Sequence, residues 1–231
     1  MSYKQAMIED HNKFHDIRNI REYFKTKSIK QIKDFCCFQN LNYSVCTLSL
    51  HGNLNVGTIM RTSQLMGVDK YFVFGRRIFD TRSTVGADKY MNMIRILGIK
   101  GTNNDDKPVL VSKLSFEDRQ LCPQKFNETM IEYNLVPIFI EQTHDAIFDD
   151  EINWNLIHSK IPKDKQICFI FGNEGDGIAD EILALRKSHQ GSIVITIRQL
   201  GALQSLNVSA AAAIILSKYK EWKLKKILDK Y

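Results

Sequence analysis

The 231-residue sequence has no apolar run long enough to cross a membrane, because charged residues interrupt every apolar segment. Its first residues, MSYKQAMIEDHNKF, lack the apolar core of a secretory signal. The five cysteines are odd in number and form no C-x-x-C pair, and the six histidines are scattered without metal-ligand spacing. We therefore expect a cytoplasmic protein with reduced, buried thiols, no metal and no membrane attachment.

The length and the charge of the chain indicate its domain organisation and the kind of partner that it suits. A chain of this size predicts one large domain with a short appendage. We expect residues 1–43 to form a helical N-terminal extension and residues 44–231 to form the main domain. The formal net charge of +6 suits a polyanionic partner, although many ordinary proteins are equally basic.

One stretch near the C-terminus predicts the fold class. An apolar run at 167–171 ends in a loop with three glycines at 172–177, and a helical pattern follows at 178–185. A second apolar run at 193–197 then leads through a small-residue loop into a long helix around 210–213. This alternation predicts an α/β domain with a mostly parallel sheet flanked by helices, and with a small ligand at the strand ends.

Further strands are expected at 45–50, 71–74, 93–97 and 135–140, where apolar and β-branched residues cluster. Residues 101–124 are polar and predict a surface loop. Residues 144–165 predict a connection with at most a short helix.

The glycine loop matches neither of two common phosphate-binding motifs. Gly172 and Gly177 have the spacing of a P-loop, but Ile178 and Ala179 follow in place of Lys and Ser or Thr. The order of the glycines, G-x-x-G-x-G, also differs from the dinucleotide fingerprint. Taken alone, this loop is compatible with a tight turn that binds no ligand.

Three blocks of sequence, in order, resemble the SpoU (TrmH-like) branch of the SPOUT RNA methyltransferases. They are NVGTIMR at 55–61, FGNEGDGI at 171–178 and SLNVSA at 205–210, and IEQT at 140–143 and GA at 86–87 look like secondary marks of the family. One position departs from the pattern. The family usually has proline before the third block, whereas this chain has Arg198 between Ile197 and Gln199, which frees φ and adds a positive charge beside the expected ligand loop.

The resemblance implies a SPOUT-type fold with a C-terminal trefoil knot, and a homodimer with its sites near the subunit junction. It implies methyl transfer from S-adenosylmethionine to a ribose 2′-OH of RNA, with tRNA as the preferred substrate and no metal. Two alternatives stay open, which are an rRNA 2′-O-methyltransferase and a catalytically silent RNA-binding protein on the same fold. The charged 1–43 extension is either a solvated face or an RNA-facing arm.

The matching motifs also imply the site residues. The expected cofactor site is lined by Thr143, Gly172, Ile197 and Leu206. The expected catalytic set comprises Asn55, Arg61, Glu174, Ser205 and Asn207.

Roles for the catalytic set follow from side-chain chemistry. The guanidinium group is a planar cation with several N–H donors, so we expect Arg61 to bind the RNA backbone and to stabilise the developing ribose oxyanion. Glu174 either orients Arg61, holds a ribose hydroxyl or serves as a charge partner of a helix N-terminus. Asn55, Ser205 and Asn207 supply neutral donors and acceptors, and Ser205 and Asn207 could equally cap the last helix.

Overall fold

The computed structural model describes residue 16 and residues 18–48, 53–75, 80–100, 120–173 and 175–229. Its centre is a seven-stranded sheet in the order β3-β2-β1-β6-β4-β7-β5, with every neighbouring pair parallel. The strands are β1 (Ser44–Leu48), β2 (Lys70–Phe74), β3 (Asn92–Ile96), β4 (Leu135–Ile140), β5 (Ile147–Phe148), β6 (Gln166–Phe171) and β7 (Ile193–Thr196). The predicted α/β class with a mostly parallel sheet is thereby confirmed.

In the described part of the chain, six α-helices connect and cover the strands. They are α1 (Ile29–Phe38), α2 (Asn53–Leu65), α3 (Pro123–Glu132), α4 (Trp154–Lys160), α5 (Asp180–Leu183) and α6 (Val208–Leu228). Short 3-10 turns lie at Glu22–Phe24, Thr81–Thr84, Ala87–Lys89 and Ala184–Ser188. No helix among these described elements is both long enough and apolar enough to span a bilayer.

Alternating strand residues divide the core into two layers. Val45 of β1 packs with α2, α4 and α6 on one face of the sheet, where the buried side chains include Ile59, Trp154 and Tyr219. Its neighbour Cys46 points to the opposite face, which α3 and α5 cover. This two-residue period is that of a pleated strand buried on both sides. Cys46 and Cys168 are buried, and all five cysteines are free thiols.

Two elements differ from the sequence-based expectation. Helix α3 begins with Pro123 at its first turn and buries Phe126 and Met130, which stand one helical turn apart. Strand β5 has only two residues and pairs with β7 at the sheet edge. The surface-loop prediction for 101–124 falls largely on residues outside the described part of the chain.

The described residues of the N-terminal segment contain α1 and the short turn at Glu22–Phe24. Ser28 begins α1 with a capping box, in which its hydroxyl accepts from the Gln31 N–H while the Gln31 side chain accepts from the Ser28 N–H. The Leu41 N–H donates to the carbonyl of Gly67 over 2.8 Å, which ties the segment to the turn after α2.

Candidate functional site

A cleft of about 580 Å³ lies at the carboxyl ends of the sheet's strands, and we call it the strand-end cleft. Strands β6, β4 and β7 are neighbours and parallel, so the loops that follow their carboxyl ends converge there. Those loops begin at Glu141, Gly172 and Ile197. The volume lies within the range of roughly 300–1,000 Å³ typical of small-molecule sites.

The glycine loop after β6 is a tight turn that excludes side chains at two positions. The Asn173 N–H donates to the Gly177 carbonyl over 3.1 Å, and the Gly177 N–H donates back to the Asn173 carbonyl over 3.0 Å. A Cβ on Gly172 would lie 2.6 Å from the backbone carbon of Gly177. Gly177 itself has φ of +64°, a left-handed conformation that favours glycine.

Glu141 joins the first two loops of the strand-end cleft. Its Oε2 accepts from the Ile178 N–H at 2.8 Å, and its Oε1 accepts from the Gln142 N–H at 2.8 Å. Gln142 extends the connection, because its Nε2 donates to the Gln204 carbonyl of the third loop over 3.1 Å. The resemblance of the IEQT run at 140–143 to the family implies neither of these two roles.

All four predicted cofactor residues, Thr143, Gly172, Ile197 and Leu206, line the strand-end cleft, and Ser205 lines it with them. Leu206 is 40% exposed, so plain core packing does not account for it. The hydroxyl of Thr143 donates to Asp145 over 2.9 Å. Hydrogen bonds from Arg186 and Thr143 lower the pKa of the Asp145 carboxyl below its ordinary value.

Arg198 is directed away from the strand-end cleft. Its guanidinium carbon lies 3.8 Å from the centre of the Phe148 ring, and its nitrogens form ion pairs with Asp150 and Glu151 at 2.9 Å and 2.7 Å. The backbone N–H of Arg198, which proline would lack, donates to Asp149 Oδ1 over 2.9 Å. The positive charge is therefore neutralised by the 149–151 turn while its neighbours Ile197 and Gln199 line the cleft.

Asn207 caps the last helix and contacts the first motif. Its Oδ1 accepts from the backbone N–H groups of Ser209 and Ala210, at 2.8 Å and 3.4 Å. Its Nδ2 donates to Oδ1 of Asn55 over 3.4 Å, across 152 residues of sequence. The capping alternative thus holds for Asn207, while Ser205 lies in the cleft lining.

Within the single chain, Arg61 is not brought to the strand-end cleft. It is an exposed residue of α2 and lines a second cavity, of about 530 Å³, between α2 and the N-terminal segment. On the same helix Gly57 lies against the Thr81–Thr84 turn, since a Cβ there would stand 2.0 Å from the Ser83 hydroxyl. Glu174 lies outside the described residues.

The charges in the strand-end cleft have one sign. Its described lining includes Glu141, Asp176 and Asp180 but no lysine, arginine or histidine. No group of three or more potential metal ligands occurs among the residues that the structure describes. The lining therefore suits a small ligand that is neutral or positively charged.

Comparison with solved structures shows the same fold at low sequence identity. The A. aeolicus TrmH/SpoU tRNA modifying enzyme superposes with a TM-score of 0.60 at 18% identity, covering 86% of this chain and 83% of that one. AviRb from Streptomyces viridochromogenes, a SpoU methyltransferase solved with AdoMet, gives 0.53 at 16% identity over 80% of this chain and 62% of that one. The AdoMet-bound rRNA methyltransferase from Sinorhizobium meliloti gives 0.54 at 19% identity, over 83% and 60% of the two chains.

This chain thus spans less than two thirds of the length of the last two proteins. A comparison with curated protein sequences finds no match. The model of the SpoU rRNA methylase family matches residues 42–217, which is well over half of the chain. The protein belongs to the SpoU rRNA methylase family.

Proposed function

We propose that the protein transfers a methyl group from S-adenosylmethionine to a ribose 2′-OH of tRNA. The observation that carries the proposal is the strand-end cleft, where loops from three adjacent strands place Thr143, Gly172, Ile197 and Leu206 around one ligand-sized space. These are the residues for which the SpoU resemblance implies cofactor contact.

The cleft lining fits S-adenosylmethionine. The ligand carries a sulfonium and an ammonium against one carboxylate, so its net charge is positive, and the described lining offers carboxylates without any cation. Backbone atoms at Gly172 can approach the ligand closely because no side chain intervenes. When bound, the cofactor would supply an electrophilic methyl carbon for in-line displacement by the ribose oxygen.

Arg61 would hold the RNA phosphate and stabilise charge on the ribose oxygen as the proton leaves. Because Arg61 of one chain lines a different cavity from its own strand-end cleft, we propose a homodimer in which Arg61 of one copy serves the cleft of the other. Exposed apolar side chains outside the second cavity support such an association, namely Leu54 on α2 and Leu203 on the loop before α6.

The remaining polar candidates are assigned positioning roles. We infer that Ser205 contacts the ligand from the cleft lining and that Asn55 and Asn207 act as a linked pair. Glu174 is proposed to orient Arg61 or the ribose. We also propose that the loops joined by Glu141 and Gln142 belong to a C-terminal trefoil knot, which would hold the cleft together by threading as well as by hydrogen bonds.

Incubation with S-adenosylmethionine labelled in the methyl group tests the activity, with unfractionated tRNA and fragmented rRNA as separate substrates. We expect label in tRNA, a product nucleoside methylated at the 2′ oxygen by mass spectrometry, and loss of transfer in Arg61→Ala. Cofactor binding, measured by calorimetry, should survive that substitution because Arg61 does not line the cleft. Label in rRNA alone would reassign the substrate, and RNA binding without transfer would indicate a silent protein.

A further inference from the structure

The second cavity, which we call the basic cavity, is built from both ends of the chain. Its walls come from the N-terminal segment, from α2, from the turns at 84–90 and from α6. Much of this wall lies outside the family match at 42–217, including Arg21, Phe24 and Phe35 before it and Lys220 and Leu224 after it. These walls of the basic cavity therefore come from residues that the family model does not match.

The two cavities have opposite charge. The described lining of the basic cavity includes Arg21, Arg61 and Lys220 and no carboxylate. None of these three cations belongs to an ion pair among the described residues. Three cations that form no ion pair with a described residue, together on one concave surface, favour an anionic ligand.

An apolar wall stands beside the cations. Phe24 and Phe35 pack edge to face with ring centres 5.1 Å apart, and Phe35 is still 37% exposed. Val85, which also lines the basic cavity, has φ of 51° and is 41% exposed, although a β-branched residue rarely adopts a left-handed conformation. The Thr84 hydroxyl holds this turn by accepting from the Gly86 N–H at 3.1 Å and donating to Asp88 at 2.6 Å.

We propose that the basic cavity binds one nucleotide of the RNA substrate, with its phosphate at Arg21 and Lys220 and its base against Phe35. Cations contact the phosphate without regard to sequence, whereas an exposed aromatic side chain stacks on the base. The choice of RNA as the ligand rests on the proposed function. The cavity would make the N-terminal segment a determinant of which RNA is bound.

Binding of fluorescently labelled unfractionated tRNA, followed by anisotropy, tests the proposal in the full-length protein. Phe35→Ala should weaken binding roughly fivefold or more, as loss of one base stack does. Arg21→Ala should also weaken it and should make the dependence of log K on log salt shallower by roughly 0.7–0.9. The matched controls are Phe38→Ala and Lys30→Ala, on the same segment but outside the cavity lining, which should bind as the parent protein does.

Three further measurements separate this proposal from its rivals. If Phe35→Ala lowers thermal stability, the exposed Arg21 still tests the site, and wild-type affinity in Arg21→Ala overturns the proposal. Sedimentation of both variants distinguishes a subunit interface, because conversion of a dimer to monomer would assign the cavity to a second copy instead. Binding of a mixture of the four nucleoside monophosphates identifies the ligand. If Phe35→Ala abolished monophosphate binding but left the affinity for tRNA unchanged, the cavity would not bind a nucleotide of the RNA.

Failure of the basic-cavity proposal can be distinguished from failure of the proposed methyltransferase function. Calorimetry with S-adenosylmethionine reports on the strand-end cleft, which shares no lining residue with the basic cavity. Absence of cofactor binding and of methyl transfer in the parent protein would remove the proposed function. Normal transfer to tRNA together with parental tRNA affinity in both cavity variants would remove only the basic-cavity proposal.

Discussion

The carboxylate of Glu141 accepts the backbone N–H of Ile178 at 2.8 Å and thereby fixes the glycine loop after β6 to the end of β4. The same carboxylate holds the Gln142 N–H, so one side chain sets the spacing of two walls of the strand-end cleft. A hydrogen bond to a charged group contributes about 1.5–3 kcal/mol when its geometry is good. The cleft therefore depends on a residue whose carboxylate is already occupied by the protein backbone.

Glu141→Ala should loosen the glycine loop, because the Ile178 and Gln142 N–H groups lose their acceptor. We expect a free energy of unfolding lower by about 1.5–3 kcal/mol and a weaker affinity for S-adenosylmethionine, measured by denaturant titration and calorimetry. Glu141→Gln keeps one acceptor oxygen and should lie between the parent and Glu141→Ala. Equal cofactor affinity in all three proteins would show that the loop does not need this anchor.

Gly172→Ala should disrupt the cleft, whereas Gly175→Ala should not. A Cβ at Gly172 would meet the Gly177 backbone and the Ile178 side chain at 2.6 Å, but a Cβ at Gly175 has no heavy atom within 4 Å. Overpacking of this kind costs about 1–3 kcal/mol, so we expect a lower melting temperature in the first variant alone, accompanied there by loss of cofactor binding. The pair of alanine variants separates local sterics from a general effect on loop flexibility.

Elements that are marked by neighbouring residues in the sequence can be predicted from it, whereas elements that depend on contacts with distant residues cannot. Strands such as β4 and β6 were found because their apolar residues are contiguous, and Asn207 as a possible cap because it precedes a helix-forming run. Helix α3 carried a recognisable signal in Pro123, Phe126 and Met130 that had not been used. The two residues of β5 are a strand only because β7 lies beside them.

The site was less accessible to sequence reasoning than the fold. Motif matching predicts Thr143 and Gly172 as cofactor residues, and both line one cleft, but it could not show that Arg61 lies on another cavity of the same chain. Nor could it show that the unusual Arg198 is stacked on Phe148. Both facts depend on which elements meet in space, and local patterns do not encode that.

Arg198→Ala should weaken cofactor binding although Arg198 does not line the strand-end cleft. The Arg198 side chain stacks on Phe148 and forms ion pairs with Asp150 and Glu151. These contacts hold the loop that begins at Ile197 against residues 148–151. Exposed contacts of these kinds contribute up to about 1 kcal/mol each, and 1 kcal/mol corresponds to roughly fivefold in Kd. Calorimetry should therefore give a Kd for S-adenosylmethionine that is roughly fivefold higher in Arg198→Ala than in the parent protein.

Two companion variants distinguish stacking from charge. Arg198→Lys keeps the charge but lacks the planar guanidinium, and Asp150→Asn removes one ion pair while leaving the stack in place. If stacking on Phe148 dominates, the lysine variant should resemble Arg198→Ala and the asparagine variant should resemble the parent. The reverse order would assign the effect to the ion pairs.

The stability of the protein should fall between neutral pH and about pH 4 because of His158. Its imidazole stacks on Trp222 with ring centres 4.6 Å apart, and its Nε2 lies 3.0 Å from the Tyr219 hydroxyl. Burial, aided by the charges of Lys223 and Lys226, lowers the pKa of His158 from 6.5 to about 4. Between these two values the unfolded chain carries a proton that the folded protein does not, so lowering the pH favours unfolding.

The expected signature is a difference in pH dependence between the parent and His158→Gln. Glutamine cannot titrate, so the melting temperature of the variant should decline less from pH 7 to pH 5 than that of the parent, whatever its stability at pH 7. His189 remains in both proteins, and burial also lowers its pKa, so a shared residual decline is expected. Parallel declines in the two proteins would mean that His158 is protonated in the folded state, which its packing between α4 and α6 opposes.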